Sequence, residues 1–127
     1  MNNKFSSQWN RSTQTRKQRK YRHNAPLNVR QRFLAAPLAE ALRKKYGKRT
    51  AQVRKGDTVT ILRGQFNKHK GKVDRVDIKR SRIFIEGAQT IKRDGSKILY
   101  PIHASKVRIE DLVLEDKKRK AMFEVKK

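Results

Sequence analysis

The sequence predicts a mainly β protein: a small, strongly bent barrel of about five strands, with a basic N-terminal extension holding one or two short helices and a short C-terminal helix or tail. Three observations carry this reading. Short runs with period-two alternation recur between Thr58 and Ile109, turn residues punctuate them, and cationic side chains concentrate ahead of them. The 127 residues leave room for one small domain plus extensions. The expected division is a basic arm at 1–24, a helical extension at 25–52, the barrel at 53–114 and a charged tail at 115–127.

Charge falls unevenly along the chain. There are 35 Lys and Arg against 11 Asp and Glu, a formal net charge of +24, so the free protein repels itself and attracts dense polyanions. Residues 1–55 alone carry 16 basic side chains and one acid, Glu40. From Met1 to Asn24 there is no acid and no apolar period, which predicts an arm disordered in the free protein. Within it Trp9 and Tyr21 sit among Arg11, Arg16, Lys17, Arg19, Lys20 and Arg22, a mixture suited to stacking on bases while neutralising phosphates. The alternative is that the two aromatics fold back as anchors on the domain.

Two short helices follow. Asn28 and Gln31 have the spacing of a capping box, Val29 and Phe33 share an apolar face, and Pro37 ends the segment. A second helix is expected from Pro37 through LAEALRKKY to a stop at Gly47, with Leu38, Leu42 and Tyr46 on one face. Glu40 and Lys44 form a favourable i,i+4 pair on the other.

In the barrel, Val59 and Ile61 alternate with Asp57, Thr58 and Thr60. Gly64 and Gly71 then bracket QFNKHK, and each glycine permits either a positive φ or a close backbone approach. Val73 lies in one phase and Val76 and Ile78 in the other, which predicts a bulge near Asp74 and Arg75. Further strands are expected at 82–86, 90–93, 98–102 and 107–109, with reversals at Lys79 to Ser81, at Gly87 and at Asp94-Gly95, the last a two-residue hairpin signal. Glu115 and Asp116 ahead of Lys117, Lys118, Arg119 and Lys120 suit a short helix, with a frayed charged tail as the alternative.

Several classes of function are excluded. Without cysteine there is no disulfide, thiolate metal site or cysteine nucleophile, and His23, His69 and His103 stand too far apart to seed a metal site, so no metal or other cofactor is expected. No apolar run approaches the ~18 residues that span a bilayer, and Lys4 to Arg22 holds no secretory h-region, which leaves a cytoplasmic protein with no membrane partner. No nucleophile–base spacing and no GxxxxGK loop is present, so neither catalysis nor a small-molecule substrate is expected. Asp57, Asp74 and Asp77 read as turn or strand-surface residues that offset neighbouring lysines.

The stretch RKGDTVTILRGQFNKHKGKVDRVD resembles the KOW motif of RNA-binding ribosomal proteins and transcription elongation factors, which implies an SH3-like barrel. Three segments, QRKYRHNAPLNVRQRFLAAPLAEALRKKYG, VRKGDTVTILRG and IHASKVRIEDLVLEDKKRKA, resemble in order those of the universal large-subunit ribosomal protein twenty-four family in its archaeal or eukaryotic form. Ala104 stands where the family commonly has proline. The resemblance implies a structural constituent of the large subunit that binds large-subunit rRNA near its 5′ region early in assembly and lies near the polypeptide tunnel exit. It also implies neighbouring large-subunit proteins and docking factors at the exit as partners. Carried onto this sequence, it gives Arg63, Lys68, His69, Lys70 and Lys72 of the glycine-bounded loop as RNA contacts. The extension from Arg16 to Arg54 would thread along rRNA, adding Arg30, Arg32, Arg43, Lys44, Arg49 and Arg54, and Lys79, Arg80 and Arg82 join at the next reversal. A KOW-type transcription elongation factor, or another RNA-binding architectural protein, is the competing reading.

Overall fold

The computed structural model describes residues 4–124; residues 1–3 of the arm and 125–127 of the tail lie outside that range. The chain opens with a 3-10 turn (Ser7–Arg11), helix α1 (Thr15–Asn24) and the single turn α2 (Leu27–Arg30), which a 3-10 turn (Gln31–Leu34) continues. Strand β1 (Ala35–Pro37), helix α3 (Glu40–Tyr46) and strand β2 (Thr50–Gln52) come next. The strands β3 (Thr58–Ile61), β4 (Lys70–Asp77), β5 (Arg82–Ile91), β6 (Lys97–Ile102) and β7 (Val107–Asp111) then form one antiparallel sheet in the spatial order β6-β5-β4-β3-β7. Helix α4 (Lys117–Phe123) closes the described chain. This is the mainly β class that the alternation predicts, and it is consistent with the SH3-like barrel that the KOW resemblance implies.

The sheet's core is what the alternation supplies. Val59, Ile61, Val73, Ile83, Ile85, Val107 and Ile109 are all buried in one cluster. The phase change along β4 is resolved by a bulge: Val73 pairs with Ile85 and Arg75 with Phe84, so Asp74 is the extra residue. That insertion restores the inward phase, and Val76 and Ile78 pack against the same core.

Several local expectations change. Gly87, read as a reversal, lies inside the ten-residue β5, where its φ of 88° falls within the register shift between Phe84 and Gln89. The single long strand crosses the sheet with a kink there instead of turning back. At Asp94-Gly95 the chain does reverse, but the loop is longer than two residues: the Lys92 amide donates to the Ser96 carbonyl, and Gly95 adopts a φ of 88°.

The extension departs further. Asn28 caps nothing; Pro26 precedes α2 and no side chain closes its first turn. Pro37 does not start α3, because it pairs with Thr50 in a β1–β2 ladder, and the helix begins at Glu40 and ends on Gly47. Leu42 and Tyr46 do pack on the core, and Lys44 meets Glu40 at 2.9 Å. Leu34, Ala36 and Leu38 are fully buried in the same cluster as the sheet, and the Ala39 amide donates to the Ile109 carbonyl at 2.8 Å. Leu38, just past the first strand, bridges Ile109 of β7, so the extension packs on that edge and places Leu34, Ala36 and Leu38 in the core.

The arm expected to be unstructured carries the first 3-10 turn and α1. A ten-residue helix without an acidic first turn or a side-chain cap has little stability alone. What holds it is a row of rings, Trp9 against Phe5 (6.4 Å between centroids), Phe5 on Tyr21 (5.4 Å) and Tyr21 against Phe33 (6.1 Å). Gln18 adds hydrogen bonds to the carbonyls of Asn10 and Ser12.

The C-terminus is a helix with a structural task. Asp116 caps it by accepting from the Lys118 amide, and it also pairs with Arg54 at 2.8 Å. Arg119 is buried against Asp57, with Nη2 2.6 Å from Oδ2 and Nη1 2.7 Å from Oδ1. Asp57 is therefore not the surface residue that its neighbourhood suggests. Its carboxylate also accepts from the amides of Arg54 and Val113, and Arg119 donates to the carbonyls of Val113 and Gln52.

Arg119→Ala should lower unfolding stability by about 3–5 kcal/mol in denaturant titrations, because it strands a buried charge. Replacing both partners with leucine should restore only part of the loss, since backbone groups at 52, 54 and 113 still lose partners. The Arg54 hydrogen bond, and secondly the Lys118 amide, hold the Asp116 carboxyl below its ordinary value of 3.8. Its folded pKa being the lower one, its stabilisation is present above about pH 3.8 and drains as the pH falls further. In melting curves, the gap between wild type and Asp116→Asn should be constant near neutrality and shrink below that pH.

Candidate nucleic-acid interface

The loop between β3 and β4 is shaped by its two glycines in different ways. Gly64 takes a φ of 100°, a conformation that side chains disfavour. A Cβ on Gly71 would stand 2.6 Å from the Glu86 carbonyl oxygen, so only glycine allows β4 to approach β5 there. His69 fills the space beside it, with Nε2 2.8 Å from the Glu86 carbonyl and its ring against Gly87. It serves as a fastener between loop and sheet. Lys68 holds a φ of 68°, a left-handed conformation costing about 1 kcal/mol for a side chain of its type, while its amide donates to the Ile61 carbonyl. Arg63, Lys68, Lys70 and Lys72 are exposed, and their side chains make no hydrogen bond or ion pair with another described residue.

A larger concentration of cations lies where α1 meets the β4–β5 turn. Arg19 and Arg22 from the helix, Lys79 and Arg80 from the turn, together with Arg30, Phe33 and His103, line a cleft of about 820 Å³. No carboxylate lines it. Arg30 builds the cleft: Nε donates to the Ala25 carbonyl, Nη1 to the Lys79 carbonyl at 2.5 Å and Nη2 to the His23 carbonyl. It clasps α1 to the turn and keeps its charge, because carbonyls neutralise nothing.

A second cleft, of about 490 Å³, shares His103 with the first and also lacks a carboxylate. It lies between the β3–β4 loop and β6, lined by Arg63, Phe66, Arg82, Tyr100, Ser105 and Lys106 among others. The 3-10 turn at Ala104–Lys106 forms one wall, with Ala104 buried in the core and the His103 side chain capping the turn by accepting from the Ser105 amide.

The structure thus gathers Arg19, Arg22, Lys79 and Arg80 in one place and Arg63 and Arg82 beside it. Arg11, Arg16, Lys17, Lys20, Arg32 and Arg49 are exposed but line neither cleft. Trp9 and Tyr21 are half-buried among aromatic neighbours, and Lys20 sits 5.8 Å from the Trp9 ring. Arg43 donates to the Leu38 carbonyl, Lys44 pairs with Glu40 and Arg54 with Asp116, so each has an intramolecular role. Sequence reasoning passed over Phe66, Tyr100 and Lys106, and weighed His103 against a metal site. The available signal was an aromatic residue inside an otherwise basic loop, at Phe66.

A bent five-stranded SH3-like sheet with a glycine-bounded basic loop is the architecture of the KOW proteins. Over residues 12–126 the chain matches the model of the ribosomal protein family described as L26 in eukaryotes, together with its archaeal counterparts, and it belongs to that family. It is 47% identical over 115 residues to the large ribosomal subunit protein uL24 of Methanocorpusculum labreanum, covering 91% of this chain and 95% of the relative. It is 49% identical over 112 residues to the protein of the same name from Methanothrix thermoacetophila, covering 88% and 97%. The chain is therefore a structural constituent of the large ribosomal subunit and not an enzyme, and the transcription-factor reading gives way to the ribosomal one.

Burial, then the charges of Arg82, Lys106 and Arg22, hold His103 below its ordinary pKa of 6.5. The folded protein therefore resists protonation more than the unfolded chain does. This group's contribution to stability is complete above pH 6.5 and falls away as the pH drops through its folded pKa. Between pH 7.5 and 5 the melting temperature of His103→Asn should decline less than that of wild type.

Proposed function

We propose that the protein binds large-subunit rRNA near its 5′ region early in assembly and lies near the polypeptide tunnel exit, beside neighbouring ribosomal proteins and any factors docking there. The observation that carries the RNA reading is the acid-free cleft between α1 and the β4–β5 turn, where Arg19, Arg22, Lys79 and Arg80 converge. Four cations brought together from distant parts of the chain repel one another, and a phosphate backbone lying among them removes that cost. The exposed Arg63, Lys68, Lys70 and Lys72 supply a second row of phosphate contacts on the loop. Such contacts carry no base identity, so recognition rests on the shape of the RNA.

The arm and the sheet divide the work. Arg30 and the aromatic row set α1 against the sheet, so the arm presents its cations on a fixed support. Exposed cations beyond the clefts, Arg11, Arg16, Lys17 and Arg32, extend the track along the RNA. Affinity for a 5′ large-subunit rRNA fragment should fall steeply with salt. Deleting residues 1–24, which hold seven Lys and Arg, should reduce the log–log slope by several units and at most about six. A slope unchanged by the deletion would remove the arm from the interface.

A further inference from the structure

We propose that the cleft between the β3–β4 loop and β6 holds a single unpaired RNA nucleotide, its base on the Tyr100 ring and its flanking phosphates on Arg63 and Lys106. The inference rests on the RNA-binding reading above and adds a site of a different chemistry. The other candidate contacts are cations that meet phosphate. Here an aromatic surface stands among cations.

Tyr100 is 40% exposed on an edge strand, a large share for an aromatic ring. Its hydroxyl has no hydrogen-bond partner among the described residues. Phe66, reaching over from the loop, stands 5.4 Å from it between centroids and packs in turn on the core. The ring is thus braced by a residue that is itself packed on the core, which lowers the entropic cost of presenting it to a ligand. Around it Arg63 and Lys106 are exposed and engage no other described side chain, and Arg82 makes only a 3.4 Å contact with the Ser81 carbonyl. The cleft has no carboxylate to repel a phosphate.

That combination selects its ligand. A phosphate alone has no use for two rings, and an apolar peptide has no use for three cations. A nucleotide satisfies both. The base must be unpaired, because bases in an A-form helix are stacked on one another and their faces are closed to side chains. Gln65 in the same cleft offers hydrogen-bonding groups to a base edge, while the Ser105 hydroxyl is engaged by His103 Nδ1 at 2.8 Å.

The test uses the full chain with a short single-stranded oligoadenylate and an RNA duplex of equal phosphate count, both at one salt concentration. Tyr100→Thr keeps a residue that strands accept, and should weaken single-strand binding about tenfold while leaving duplex binding unchanged. Tyr100→Phe should bind both as wild type does. Photocrosslinking of wild type to an oligonucleotide carrying 4-thiouridine should place adducts on Tyr100 or Phe66. Undiminished single-strand binding by Tyr100→Thr, an equal loss on the duplex, adducts confined to other residues, or equal competition by a glutamate–tyrosine copolymer would each overturn the site. The two readings fail separately. If Arg22→Gln/Arg80→Gln weakens duplex binding while Tyr100→Thr changes nothing, only the nucleotide site falls, whereas a wild-type protein binding neither RNA removes both.

Discussion

The buried pair of Asp57 and Arg119 is the contact on which the joining of the sheet to the C-terminal helix depends most. A carboxylate and a guanidinium buried together are costly to desolvate, and their attraction offsets that cost only when the remaining lone pairs and protons are also satisfied. Here they are. The carboxylate receives the amides of Arg54 and Val113 as well as two guanidinium hydrogen bonds, and Arg119 spends its other donors on the Val113 and Gln52 carbonyls. The pair therefore binds the end of β2, the approach to β3, the exit from β7 and α4 into one node. With a thin core, such a node fixes which ends meet, and the sheet alone would leave that undecided.

The same economy shapes the surface. Cations with structural duties mostly act on backbone carbonyls, as Arg30 does on three and Arg43 on one. Among the described residues few are matched with acids, and the matched ones, at Arg54, Lys44, Arg108 and the buried Arg119, lie outside the larger cleft. A residue tied down in this way still contributes its full charge to the field around it. Structural and electrostatic roles are therefore not alternatives for an arginine in this protein.

What the sequence makes legible is local, and what it hides is long-range. Val59 and Ile61 and the bulge at Asp74 follow from the phase of neighbouring residues and lie where the alternation places them, and the chain reverses at Asp94-Gly95 as its turn residues indicate, though through a longer loop. Gly87 misleads because glycine marks a need for unusual φ, and a kink within a strand creates that need as readily as a turn does. The β1–β2 ladder pairs short, nearly featureless segments across α3, so nothing in Ala35 to Pro37 announces a strand. Asp57 looks like any strand-surface acid because its partner lies 62 residues away. At the candidate interface the cations were legible from composition. Their convergence was not, since it depends on Arg30 bringing α1 to the β4–β5 turn, and Tyr100 was hidden within an ordinary strand pattern.

The acid-free cleft has a consequence for how ionic strength acts on the molecule. In the free protein Arg19, Arg22, Lys79 and Arg80 line one cleft with no carboxylate among its lining residues, so added salt screens their mutual repulsion. Once a polyanion occupies the cleft the same ions compete with it, and added salt loosens the assembly. The two states respond to one variable with opposite sign. The protein is electrostatically incomplete by itself, and under the RNA-binding proposal the partner would supply the missing counter-charge.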